Sequence, residues 1–316
     1  MSRAMVTGGA GFIGSHIVDH LLADGYRVCV VDDLSTGSVH NVAAGAALHQ
    51  VDVRDLGSLR SVMESFKPEV VFHAAAQMDV RRSIREPEFD ASVNVLGGLN
   101  VLRAAVAAGT RRIVYASTAA VYGNPARLPV VETDPTHPIS EYGASKLAFE
   151  HYLGAYAARG QIEYAVLRYP NVYGPRQRPN GEAGVVAIFT RQMLRGECVT
   201  IFGDGTKTRD YVYVSDVVDA TVRAASGPSG LVTNLGSGCE VSDIEVFREV
   251  AAATGYSEPP VHAAVRSGEV LRICMDPSVA LRSWGWRATV PLPEGVSTVV
   301  EHVESGRRAD VGLGSR

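Results

Sequence analysis

Thr7-Gly-Gly-Ala-Gly-Phe-Ile-Gly14 follows a short apolar run, Ala4 to Thr7, and opens a longer stretch, Phe12 to Asp24, whose apolar residues recur at helical spacing. Strand, glycine turn and helix in that order place Gly8, Gly11 and Gly14 in a G-x-x-G-x-x-G array. The first glycine serves a tight turn, the second lets backbone approach a pyrophosphate at the helix N-terminus, and the third lets the helix pack closely on the strand. A glycine-rich turn alone is equally compatible with a bare connection. The next strand decides, because it ends Val30-Val31-Asp32, with Asp32 eighteen residues beyond Gly14. An acidic side chain at that distance accepts hydrogen bonds from both adenosine ribose hydroxyls and repels a 2′-phosphate, so NAD is favoured over NADP. Phe12 and Ile13, at the helix start, belong to the same cofactor site. Asp33 competes with Asp32, although its other reading is the opening residue of the turn Asp33-Leu-Ser35-Thr36-Gly37.

Beyond this unit, Arg27 to Asp32, Leu48 to Val53, Val70 to His73, Arg112 to Ser117 and Tyr164 to Arg168 read as strands. They alternate with helical patterns over Leu56 to Phe66, Pro87 to Ala108 and Tyr142 to Arg159, and Gly25, Gly109 and Gly160 stand at helix C-termini. The alternation predicts an α/β fold, a doubly wound parallel sheet of the Rossmann kind with a smaller C-terminal substrate-binding lobe. Asp52 and Val53, and Ala74, Ala75 and Ala76, fall at strand C-terminal ends, where an open α/β sheet binds ligands; they join the cofactor set. The expected division is 1–169 for the dinucleotide unit, with later segments returning to it, 170–304 mainly for the substrate lobe, and 305–316 for a flexible tail.

Composition narrows the function classes. Hydrophobic residues at 46% and charged ones at 20% of 316 describe a soluble globular chain, and no apolar run is long enough to span a bilayer. The chain enters a strand at once, so no signal peptide is expected and the location expected is cytoplasmic. Cys29, Cys198, Cys239 and Cys274 form no C-x-x-C pair and are read as reduced, mostly buried thiols. No metal is expected among the nine histidines, and 30 dispersed basic residues against a net charge of -4 give no stripe for nucleic acid.

Tyr142-Gly-Ala-Ser-Lys146 sets a phenol and an ammonium one helical turn apart on one face. A cation close to a tyrosine lowers its pKa by roughly one to three units, and a positive nicotinamide ring adds to the effect, which would make Tyr142 a general base near neutral pH. An amphipathic helix with a buried aromatic and an exposed lysine is the plainer alternative. The preceding strand ends Tyr115-Ala-Ser-Thr118, bringing hydroxyls to the same sheet edge.

With these three features the sequence resembles the extended short-chain dehydrogenase/reductase family over nearly its whole length. The resemblance implies a catalytic set of Tyr142, Lys146 and Thr118, with Ser117 the adjacent alternative. It also implies that Lys146 holds the nicotinamide ribose and that Asn94, in Asn-Val-x-Gly97, and Tyr169 lie beside the cofactor. Arg168-Tyr-Pro-Asn-Val-Tyr-Gly-Pro175 and Arg209-Asp-Tyr211 are further matches, implying Asn171 and Arg209 at a substrate pyrophosphate. Family members that dehydrate sugars carry Thr-Asp-Glu where this chain has Thr118-Ala119-Ala120, and two methyl groups cannot transfer protons. Small residues there are similar to the UDP-glucose/UDP-galactose 4-epimerases. That likeness implies a UDP-sugar substrate held by Gly184 and Val185 after the loop from Asn180, by Thr200 and Phe202 near the base, and by Arg266 and Glu269 in Arg-Ser-Gly-Glu, where the family has Asp. Four residues after Glu269, Ile273, beside Cys274, falls where the family limits room for an N-acetyl group. The resemblance also implies a homodimer built on a four-helix bundle. UDP-glucuronate or UDP-N-acetylhexosamine epimerisation, nucleotide-sugar 4-keto reduction, and dinucleotide sensing without turnover are the alternatives.

Overall fold

The computed structural model describes residues 1–179, 184–265 and 270–313. Six strands in chain order, β1 (Arg3–Thr7), β2 (Arg27–Asp32), β3 (Ala47–Gln50), β4 (Val70–His73), β5 (Arg112–Thr118) and β6 (Glu163–Tyr169), join Leu231–Asn234 in one seven-stranded sheet. Every pairing is parallel, and the spatial order is Leu231–Asn234, β6, β5, β4, β1, β2, β3. The order reverses between β1 and β4, which places a ligand crevice at the strand C-termini there. β1, β2, β4 and β5 are buried almost throughout, as continuous β-branched runs require when helices cover both faces.

The helices are α1 (Phe12–Ala23), α2 (Leu56–Phe66), α3 (Val80–Arg85), α4 (Pro87–Ala91), α5 (Gly98–Ala107), α6 (Glu141–Ala157), α7 (Val185–Leu194), α8 (Val214–Arg223), α9 (Asp243–Thr254), α10 (Ser278–Trp284) and α11 (Leu292–Leu313). Ile17, Val18 and Leu21 of α1 and Val217, Val218 and Ala220 of α8 form one core with Ala4, Val6, Val28 and Val30. Leu59 and Met63 of α2, Val101 and Leu102 of α5, and Phe149 and Leu153 of α6 form the other with Met5, Val31, Ile113 and Tyr115. A third, smaller core joins Phe189 and Met193 of α7, Val246 and Phe247 of α9, and Val296 and Val299 of α11.

Several expectations change in detail. The third strand stops at Gln50, because Asp52 accepts the Arg54 amide and turns the chain away from the sheet. Pro87 to Ala108 is not one regular helix: α4 and α5 are joined by a π-helical stretch, Ser92–Gly97. The strand Leu231–Asn234 was not anticipated; α8 is the helix that crosses to it. α11 runs through Ser305, so the segment read as a tail is helical as far as Leu313. Of the cysteines, Cys29 and Cys274 are buried but Cys198 and Cys239 are exposed, a correction to the expectation of mostly buried thiols. Among the described residues, no helix is long and apolar enough to cross a membrane and no cluster of His, Cys, Asp or Glu is placed to hold a metal ion.

Candidate active site

β5 and α6 bring the candidate residues Thr118, Tyr142 and Lys146 to one edge of the sheet. Ser140 caps α6, its Oγ accepting from the Gly143 amide at 3.2 Å, and so fixes where the first turn begins. Tyr142, Lys146 and Glu150 then follow at four-residue intervals on the face turned to the sheet. Thr118, the last residue of β5, meets the Tyr142 hydroxyl in a hydrogen bond, and its Oγ1 accepts from the Ala120 amide at 3.2 Å. Lys146 is buried, with Nζ 4.5 Å from the centroid of the Tyr115 ring. Tyr115 in turn stacks on His73 and meets Phe149 edge-on. His73 Nδ1 lies 2.7 Å from Thr7 Oγ1, and burial pushes its imidazole down to about 3, so it is a neutral structural ring rather than a proton carrier.

The electrostatics correct the expected activation of the phenol. Burial pushes Tyr142 up to about 12, opposed only by the Thr118 hydrogen bond, and pushes Lys146 down to about 7. In the protein alone burial therefore favours the neutral form of each group. Desolvation is the largest cause of both shifts.

Ser117 does not share the site. Alternation along β5 turns it opposite to Thr118, where its Oγ donates to the buried Glu150 carboxylate. Asn94 lies in the π-helical stretch and spends its amide inside the protein: Oδ1 accepts from the Gln77 amide, while Nδ2 reaches Gln77 O, Asp90 Oδ1 and Ser145 Oγ. It ties the loop after β4 to α6. The Tyr169 hydroxyl is likewise taken, 2.7 Å from Thr221 Oγ1 under α8.

The first turn is shaped for a dinucleotide. A Cβ at Gly8, whose φ is +73, would stand 2.6 Å from Ala75 N, and one at Gly14 would stand 2.1 Å from Gly8 O, so neither position admits a side chain. Gly11 is the N-cap of α1 and no side chain caps that terminus. Asp32 is 7% exposed; its Oδ2 accepts from Ala10 N and its Oδ1 from Leu34 N, both at 2.9 Å. No cation among the described residues pairs with it, and burial raises its pKa. A carboxylate held by two amides, with lone pairs to spare and no counter-charge, fits a ribose diol and opposes a phosphate. Asp33 binds the amide and hydroxyl of Ser35, which is the turn-opening role, next to Thr36 and Gly37. A Cβ at Gly37 would press on Asp32 Oδ1. Asp52 is held by Arg54, which lowers its pKa, and Val53 is buried against Gly97. Ala74, Ala75 and Ala76 border the turn, with Ala75 N 3.4 Å from Thr7 Oγ1.

Of the residues expected at the substrate, Asn171 opens the strand Asn171–Tyr173, and Gly184 is the N-cap of α7, free of side-chain caps, with Val185 next. Thr200 and Phe202, half-buried, bound a strand paired with Val261–Ala263. Arg209 donates to Thr208 O. Arg266 and Glu269, and the loop Asn180 to Ala183, lie outside the described residues. Ile273 is buried in an apolar cluster with Val121, Tyr122, Val130 and Met275, against which Ala119 and, from α6, Leu147 pack.

Sequence reading gave no role to a buried polar chain behind the site. Arg168 grips Glu150 through Nη2 at 2.7 Å and Nε at 3.2 Å, and donates through Nη1 to Tyr122 OH at 2.7 Å. Tyr122 donates to Asn234 Oδ1, and Asn234 Nδ2 donates to Val130 O. The available signal was Glu150 itself, an acid two turns beyond Tyr142 on the buried face.

A glycine cradle under a buried carboxylate, with a Tyr-Lys-Thr set at the neighbouring strand end, defines a nicotinamide-dinucleotide enzyme on a doubly wound sheet. The chain belongs to the NAD dependent epimerase/dehydratase family, whose model matches residues 4–236. A UDP-glucose 4-epimerase of Mycolicibacterium smegmatis is 44% identical over 307 residues, covering 95% of this chain and 97% of that protein. A UDP-glucose 4-epimerase structure from Thermotoga maritima, with UDP-glucose, superposes with a TM-score of 0.95 at 43% identity, covering 96% of this chain and 99% of that one. One from Thermus thermophilus, in complex with NAD, gives 0.92 at 43% identity, with coverage of 96% and 99%.

Proposed function

We propose that this chain is an NAD-dependent UDP-hexose 4-epimerase interconverting UDP-glucose and UDP-galactose. The observation that carries the reading is the Tyr142–Thr118 hydroxyl pair beside Lys146, followed by Ala119 and Ala120 with no acid between them and Tyr122. Epimerisation at C4 needs one proton carrier and no acid for expelling water. NAD supplies the hydride acceptor and donor for C4 and brings a positive ring to the phenol. Tyr142 takes the 4-hydroxyl proton, Thr118 hydrogen-bonds the same oxygen, and Lys146 holds positive charge under the phenolate. When hydride returns to the opposite face of the 4-keto sugar, Tyr142 gives the proton back. Asn171, Gly184, Val185, Thr200, Phe202, Arg209, Arg266 and Glu269 hold the nucleotide while the hexose turns. Incubating the purified protein with UDP-glucose should yield UDP-galactose; an unchanged substrate would remove the proposal.

The dinucleotide unit is 1–169 with later returns, and 170–304 is mainly the substrate lobe. The protein acts as a cytoplasmic homodimer; exposed Ile84, Leu96 and Tyr152, along α3, the π-helical stretch and α6, support a helix-built interface.

Asp32→Ala should weaken NAD binding by about 10- to 100-fold, the worth of a charge-assisted pair of hydrogen bonds, with little change in turnover at saturating NAD. Titration with NAD checks this, and NADP as the nucleotide released from wild-type protein would contradict the role of Asp32.

Ile273 sets sugar tolerance. Its intermediate bulk should permit some activity on the N-acetylated pair, whereas Ile273→Tyr should lower that activity relative to UDP-glucose by about tenfold or more, since overlap costs a few kcal/mol. Competition assays with the two substrates decide, and an unchanged ratio would show that Ile273 is not the gate.

A further inference from the structure

Four buried charges surround the sheet-facing side of α6: Asp90, Lys146, Glu150 and Arg168. Glu150 and Arg168 neutralise one another in direct contact. That leaves Asp90 and Lys146, neither of which forms a direct ion pair with any described residue. Asp90 is 1% exposed on α4. Its Oδ1 accepts from Gln77 Nε2 at 2.8 Å and Asn94 Nδ2 at 3.1 Å, while its Oδ2 is buried without a hydrogen-bond partner. Asn94 extends the link to Ser145, the residue before Lys146. An uncompensated carboxylate in such a place costs several kcal/mol, unless a cation close by lends it positive potential.

We propose that Asp90 is the counter-charge of Lys146, a positioning residue that keeps the ammonium charged beneath the phenol without touching substrate or cofactor. This rests on the reading of Tyr142 and Lys146 as the catalytic pair. Burial pulls Lys146 down, and among the charges opposing that pull Asp90 comes first and Glu150 second. The same negative charge acts on Tyr142 in the same direction, raising it. The groups that act on this pair are Tyr142 and Glu150 from α6, Tyr115 from β5 and neutral His73 from β4, with Arg168 of β6 held against Glu150; α3, packed on α4 and α6, carries Arg81, Arg82 and Arg85, with Arg82 paired to Glu86. Removing the Asp90 charge therefore moves both Lys146 and Tyr142 to lower pKa. The pH range in which one proton is shared between them slides to lower pH as a whole. A purely structural role would lower the rate without moving that range.

Lys67, Lys146 and Lys207 are the only lysines, so ζ-15N-lysine spectra of the NAD-loaded protein contain three side-chain signals, and Lys146→Met assigns the one of interest. Asp90→Asn keeps the shape and an acceptor for Gln77; it should lower the Lys146 midpoint by about one unit and shift the pH–rate profile the same way. Asp90→Ser, which leaves a hydroxyl in the same place, should do likewise if the Asn variant fails to fold, and Asp90→Glu should hold the midpoint near that of wild type. A midpoint unmoved in the folded neutral variant, to within about 0.3 unit, overturns the proposal. The midpoint does not depend on turnover, so normal epimerisation by a protein lacking the Tyr142 hydroxyl would defeat the catalytic reading and leave this measurement standing.

Discussion

Tyr142→Phe should retain the fold and bound NAD while losing about two to four orders of magnitude in turnover, the usual worth of a positioned acid–base group. The phenyl ring fills the same volume on α6, so neither Ser140 capping nor the packing beneath it changes. What disappears is the oxygen that Thr118 meets, and with it the proton carrier hydrogen-bonded at that edge. His73 cannot substitute, because burial keeps it neutral and its Nδ1 is engaged with Thr7. Ser117 cannot, because it is turned to Glu150. Circular dichroism and NAD content establish that the variant is intact, and initial rates then give the loss. Turnover near that of wild type would leave the proposed chemistry without its base.

Arg168→Met should destabilise the protein by about 3–5 kcal/mol, the cost of leaving one member of a buried ion pair uncompensated. Glu150 and Arg168 are both nearly inaccessible, at 5% and 6% side-chain exposure, so water cannot replace the guanidinium. The same substitution also removes the donor to Tyr122 OH. Replacing both partners, as in Glu150→Leu with Arg168→Met, should recover much of the loss, since a matched apolar pair leaves no charge in the core. Chemical unfolding at fixed protein concentration measures both. A single-variant loss below about 1 kcal/mol would mean that water or a neighbouring group screens Glu150.

The sheet and its helices were legible because the residues that specify them act locally. The β-branched runs of β1, β2 and β4, the glycines at Gly8 and Gly14, and the period of α1 and α2 each carry their own signal. Gly25, Gly109 and Gly160 indeed adopt positive φ at helix ends. Leu231–Asn234 was missed because four residues at a sheet edge carry too little pattern to separate a strand from a loop. The Tyr142–Lys146 spacing on one helix and Thr118 at a strand end could likewise be read in one dimension. Their titration could not, because burial depends on what α4, β4 and β5 bring against α6. Asp90 and Arg168 stand far from Lys146 and Glu150 along the chain, so no spacing announces either relationship. Asn94 illustrates the reverse case: a motif residue visible in the sequence whose amide turns out to be spent on joining Gln77, Asp90 and Ser145.

In the proposed reaction C4 of a UDP-hexose loses and regains its own hydrogen within one active site. UDP-glucose carrying deuterium at C4, incubated with the purified protein in ordinary water without added cofactor, tests this directly. The expected product is UDP-galactose that keeps its deuterium at C4; failure to form the epimer, or an epimer whose C4 label has been replaced by solvent hydrogen, would show that C4 does not regain its own hydrogen.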